Sequence, residues 1–206
     1  MIRDQEMLEQ LVSTVDDFVQ KVLVPIEHQV EETETVPETV IQQMRELGFF
    51  GLSISEEYGG LGLTMEEEVY VAFAFGGASP AFRSVFSTNT GIGSAGVILD
   101  GSEQQKQKYL PKLATGEWFA SYCLTEPEAG SDANSGKTKA VLSEDGKEYI
   151  ITGQKMWITN AGFADLFIVF ARNNLMNIMC KVGDYILILN NINKTSTQEN
   201  TQKRST

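Results

Sequence analysis

Two short stretches of this chain carry the residue types needed to hold a planar, anion-bearing ligand. The first is Tyr122-Cys123-Leu124-Thr125-Glu126-Pro127-Glu128-Ala129-Gly130-Ser131-Asp132. A β-favouring run leads into a turn of small residues. Gly130 lets backbone N–H groups approach an anion closely, and Ser131 offers a further hydrogen bond. Thr125 is able to hydrogen-bond the edge of a heteroaromatic ring. The second stretch is Gly153-Gln154-Lys155-Met156-Trp157-Ile158-Thr159-Asn160. In a strand, Trp157 would present a flat apolar face and Thr159 would lie on the same side two residues on. An indole beside a hydroxyl makes a cradle for a ring. Read singly, each stretch has a plainer alternative: an ordinary strand-end loop, and a core tryptophan in a sheet.

Other chemistries find little support. His28 is the one histidine, which excludes multi-histidine metal sites and most Ser/His or Cys/His hydrolases. Cys123 and Cys180 match no metal spacing and read as free thiols in a reducing compartment. No metal is expected. The 206 residues carry a net charge of −12, which disfavours nucleic acid and anionic membrane surfaces. No apolar run approaches the roughly 20 residues of a membrane span. The 42% apolar and 21% charged residues are ordinary globular usage. The first residues have neither a signal peptide's apolar core nor a transit peptide's arginine-rich character. The expected location is the cytoplasm, or the mitochondrial matrix for a processed eukaryotic chain.

The elements that must position the two stretches follow from periodicity. Leu8, Leu11, Val12, Val15, Phe18, Val19 and Val22 recur at helical spacing, and Pro25 should end or bend that helix. A second helix fits 37–47, with Pro37 in its first turn and Gly48 at its C-terminal cap. Thr64 with Glu67, and Ser102 with Gln105, read as capping boxes. The Gly-, Ser- and Ala-rich residues 76–101 suit tightly packed buried helices, and lack the strand and spacing of a dinucleotide fingerprint. After Gly116 the period changes. Strands are expected over 118–125, 137–143, 148–152, 154–159 and 165–171, with a hairpin turn at 144–147. Helices first and strands later make an α+β fold: an all-α domain over 1–116, then an incomplete antiparallel β domain over 117–172.

Composition breaks at Arg172. The last 34 residues hold seven Asn against three in the first 172, one Gly against 17, and a net charge of +2 against −14. No hydrophobic pattern clearly continues the sheet there, and 190–206 reads as disordered. Residues 173–206 are therefore expected to be a tail outside the domains.

Taken together, the two stretches resemble those of the acyl-CoA dehydrogenase family over residues 4–172. Supporting motifs are Leu47-Gly48-Phe49-Phe50-Gly51, Tyr58-Gly59-Gly60-Leu61-Gly62 and the segment from Gln105 to Glu117. The resemblance implies FAD as cofactor and desaturation of an acyl-CoA between Cα and Cβ. It implies that Tyr122, Cys123, Leu124, Thr125, Glu126, Pro127, Gly130 and Ser131 line the flavin and its diphosphate, with Ser131 also reaching the acyl-CoA. Trp157, Ile158 and Thr159 would pack on and hydrogen-bond the isoalloxazine. Electron-transfer flavoprotein is the implied electron acceptor, and full-length members are homo-oligomers. The family's glutamate base belongs to a C-terminal helical domain, so no catalytic residue is assigned within 1–206. Glu126 and Glu128 are poor substitutes, being part of the flavin loop. The expectation is a truncated member, inactive alone and poor at retaining flavin. The alternatives are a non-catalytic fragment acting through subunit association and a sibling acyl-CoA oxidase.

Overall fold

The computed structural model describes residues 2–146, 148–173 and 186–190. Helix α1 (Gln5–Phe18) starts at Asp4, whose carboxylate accepts from the Met7 amide, and buries Leu8, Val15 and Phe18. Pro25 has no N–H to give, and the chain bends rather than stops. It widens to a π turn over Val19–Leu23, tightens to a 3₁₀ turn over Val24–Ile26, and resumes as α2 (Glu27–Thr33). Helix α3 (Glu38–Glu46) begins directly after Pro37. Gly48 ends this segment in the left-handed conformation at φ 75°, where a Cβ would be strained.

Both expected capping boxes are present. Thr64 and Glu67 open α4 (Met65–Phe75), and Ser102 and Gln105 open α7 (Glu103–Ala114). The small-residue region between them folds as α5 (Pro80–Thr90) and α6 (Ile92–Asp100). The helical core is built on aromatic rings. Phe49 meets Phe18 at 5.5 Å, Phe75 at 5.0 Å and Phe86 at 5.8 Å between centroids, within the range of favourable ring pairs.

The strands are β1 (Ala120–Cys123), β2 (Lys139–Leu142), β3 (Tyr149–Thr152), β4 (Leu166–Phe170), β5 (Arg172–Asn173) and β6 (Ile186–Asn190). They form two three-stranded sheets, ordered β1-β4-β6 and β3-β2-β5. The α+β class holds, but the pairing is mixed rather than purely antiparallel. Strands β1 and β4 run parallel, as do β2 and β5, while β2–β3 and β4–β6 are antiparallel. The sheet also continues beyond Arg172, because residues 186–190 add β6 to β4 from Leu166↔Asn190 to Phe170↔Ile186. An apolar run near 185–189 is enough to extend a ladder when a neighbouring strand offers a free edge. The disorder expected over 190–206 fails at Asn190, which closes β6 opposite Leu166, and residues 191–206 lie outside the described residues.

The expected strand over 154–159 does not form. This segment is irregular, with Trp157 and Asn160 in the left-handed region at φ 56° and 64°. Trp157 and Thr159 are therefore not related by the alternation of a strand.

Helices and sheet are joined by close approach and by one buried amide. A Cβ on Gly93 of α6 would lie 2.4 Å from that of Ala120, so only glycine allows α6 to lie this close to β1. Asn89 of α5 is fully buried. Its amide donates to the carbonyls of Leu113 (3.0 Å) and Trp118 (2.7 Å), and its oxygen accepts from the Ala120 amide (2.8 Å). One side chain thus ties α5, the end of α7 and the start of β1. Among the described residues, no helix is long and apolar enough to cross a membrane.

Candidate functional site

Strand β1 delivers the first stretch. Tyr122 packs edge-on against Phe170 of β4 at 4.9 Å. Cys123 is a buried free thiol whose pKa burial pushes up to about 11, with the nearby Lys155 charge pulling the other way. It is inert in that state. Beyond β1 the chain turns tightly. Glu126 and Ala129 exchange backbone hydrogen bonds at 3.0 and 3.1 Å, with Pro127 and Glu128 at the tip. Pro127 supplies the preset φ that such a turn favours. Gly130 and Ser131 follow on the surface, and a Cβ at Gly130 would meet nothing within 4 Å. The backbone there is open to an incoming group.

Glu126 behaves as a structural anchor. It is 6% exposed. One carboxylate oxygen accepts from Lys155 Nζ (2.8 Å) and the Thr138 amide (3.0 Å), and the other from the Lys137 amide. Burial alone would raise its pKa. The Lys155 ammonium and the two amides outweigh that and hold it at about 2. Glu128, by contrast, is exposed and pairs with Lys137.

The second stretch lies against the first. The Met156 amide donates to the Thr125 carbonyl (3.0 Å), Lys155 Nζ donates to the Leu124 carbonyl (2.9 Å), and Ser121 Oγ donates to the Thr159 carbonyl (2.7 Å). Ile158 packs on the small cluster of Cys123, Ala164, Phe167 and Val169. Trp157, between these anchors, is 84% exposed. Its indole is thus left in water, one residue before Ile158 and two before the exposed Thr159. The structure thus brings the Thr125 segment and the Trp157 segment together through backbone bonds, despite the missing strand. Lys155 and the anchoring role of Glu126 are what residue-by-residue reading missed. Their separation of 29 positions in sequence left no local signal.

These residues fit a flavin nucleotide. Hydroxyls at Thr125, Ser131 and Thr159, an uncovered glycine backbone and an exposed indole are the donor and stacking set such a group uses. The local acidity is spent internally on Lys155 and Lys137.

Residues 5–117 match the family profile described as acyl-CoA dehydrogenase, N-terminal domain, and residues 121–197 match that of the middle domain. The second match runs past the compositional break at Arg172. The chain is 43% identical over 167 residues to a mitochondrial very long-chain specific acyl-CoA dehydrogenase of Macaca fascicularis, covering 81% of this chain. It is 42% identical over 167 residues to a probable acyl-CoA dehydrogenase of Bacillus subtilis, covering 79% of this chain. The chain spans 25% and 27% of the lengths of these two relatives. Among solved structures, the Bacillus anthracis acyl-CoA dehydrogenase complexed with FAD superposes with a TM-score of 0.78 at 36% identity, over 91% of this chain and 31% of that one. A glutaryl-coenzyme A dehydrogenase in complex with glutaryl-CoA gives 0.75 at 33% identity, over 83% and 44% of the two chains.

Proposed function

This chain belongs to the acyl-CoA dehydrogenase family, and from that premise we propose that it forms the flavin-facing side of an α,β-desaturating acyl-CoA site. The observation that carries the reading is the joining of the Thr125–Ser131 loop to the exposed Trp157 segment by the Met156–Thr125 hydrogen bond. FAD, when bound, supplies the two-electron acceptor for hydride lost from the acyl Cβ. Thr125, Ser131 and Thr159 donate hydrogen bonds to it, and the Gly130 backbone admits its phosphates. Trp157 covers the ring and excludes water. Ser131 also reaches toward the acyl-CoA.

The proton lost from Cα needs a base with a pKa near the working pH. Glu126, held at about 2 and engaged by three donors, is unsuited to that role. We assign no base within 1–206, so desaturation requires a group contributed from elsewhere. The middle-domain match and strand β6 both run past Arg172, so the compositional change there does not mark where family-like sequence stops. The electron acceptor we propose is an electron-transfer flavoprotein, with oxygen as the acceptor in an oxidase-like variant.

Titration with FAD and then with an acyl-CoA tests the flavin assignment. Saturable uptake of flavin, weakened in Trp157→Ala and Ser131→Ala, supports it. A colourless chain that takes up neither ligand supports the second reading, a non-catalytic fragment acting through association with other subunits.

A further inference from the structure

The two flavin-facing segments have no strand ladder between them, yet each must hold its place for a ring to fit. Lys155 is half-buried, its side chain 14% exposed, and it faces a carboxylate that is 6% exposed. Two charges so placed are costly unless paired and fully hydrogen-bonded. Here the ammonium is shared between the Leu124 carbonyl (2.9 Å) and Glu126 (2.8 Å). The same carboxylate collects the amides of Lys137 and Thr138, so it closes the base of the loop over 127–136. A Cβ on Gly136 would come within 3.2 Å of that carboxylate, which places the returning chain directly against it. One ion pair therefore meets three chain segments: 124–126, 136–138 and 155.

Trp157 lies two residues beyond Lys155. It is mostly exposed, and its φ of 56° is unfavourable for a bulky residue. Such a conformation persists only where the flanking chain overdetermines it. The flanking anchors are Lys155 and Met156 on one side, and Ile158 with the Thr159 carbonyl on the other.

We infer that Lys155 is a positioning residue, whose bonds to Leu124 and Glu126 set the Trp157 segment against the hydroxyl loop. The consequence for flavin rests on the function proposed above; the latch itself is a property of the chain. Lys155→Met keeps a stem of similar length and removes the ammonium. The double variant Glu126→Gln with Lys155→Met also removes the stranded charge. If the pair only fills space and balances charge, the double variant restores both stability and flavin binding. If it positions the segment, the double variant recovers at most part of the stability and none of the binding: the link to Leu124 is still missing, and the glutamine NH2 faces an amide that a carboxylate oxygen accepted.

The test uses the full 206-residue chain and both variants, read by amide hydrogen exchange without flavin and by FAD binding. The expected result is exchange at Met156 faster by about tenfold or more in both variants, with the amides of α4 and α7 unchanged. FAD binding is expected to weaken by about 10–100-fold in both. Unchanged exchange at Met156, or full recovery of binding by the double variant, overturns the inference. A native chain that takes up no FAD removes the flavin reading alone, and the exchange result still decides the latch.

Discussion

Replacing Asn89 by alanine removes three buried hydrogen bonds from the junction between helices and sheet. The Leu113 carbonyl keeps the Gly116 amide as a partner at 3.2 Å. The Trp118 carbonyl and the Ala120 amide lose the bond that Asn89 supplies. Two buried groups stranded at about 1–3 kcal/mol each give a loss of about 4 kcal/mol. That is a large share of the roughly 5–15 kcal/mol by which a domain is stable. Urea unfolding followed by circular dichroism reads it directly, as a lower midpoint with little change in slope. Asn89→Asp makes the reasoning sharper. It keeps an acceptor for Ala120 but turns acceptor oxygen toward two carbonyls, so it should cost at least as much as alanine. A loss below about 1 kcal/mol for Asn89→Ala, or an aspartate variant as stable as the native chain, would falsify the claim that this amide ties the two layers.

Acid should weaken the fold through two carboxylates. Glu67 is held at about 2 by the backbone amides of Arg3 and Thr64, despite its burial, and Glu126 is also held at about 2. Against an ordinary value of 4.5, the folded chain binds fewer protons than the unfolded chain in this interval. Stability therefore rises with pH there: the contribution is complete above the ordinary value and disappears as pH falls through about 2. Urea midpoints measured along that interval should fall toward acid, and a smaller fall in Glu67→Gln checks the assignment. Gly93→Ala should destabilise by about 1–3 kcal/mol through its clash with Ala120. Gly130→Ala, with open space around it, should leave stability unchanged while weakening FAD binding. Trp157→Ala, at an exposed site, should change stability by no more than about 0.5 kcal/mol, yet lower FAD affinity by about tenfold. Equal losses of stability and affinity would show that the indole serves the core instead.

What was legible in the sequence was local. Thr64 with Glu67, Ser102 with Gln105 and the left-handed Gly48 each act within one helical turn, so their spacing announces them. The two ligand-facing stretches were also visible, because a turn of small residues and an indole carry their chemistry in their identity. The strand expected over 154–159 failed for a tertiary reason. The β propensity of Trp-Ile-Thr is overridden by bonds from Ser121 and to Thr125, which pull the segment into two left-handed residues. The parallel pairing of β1 with β4 joins residues 46 apart, and no short-range pattern encodes it. Asn89 and Lys155 look like unremarkable polar residues until burial gives them partners from distant segments.

Hydrogen exchange with and without saturating FAD tests the flavin site most directly. The prediction is protection confined to 122–131 and 155–159, with the FAD concentration that gives half of it raised about tenfold in both segments together by Trp157→Ala. Protection at one segment without the other, at unrelated helices, or nowhere at any FAD concentration would contradict a shared site.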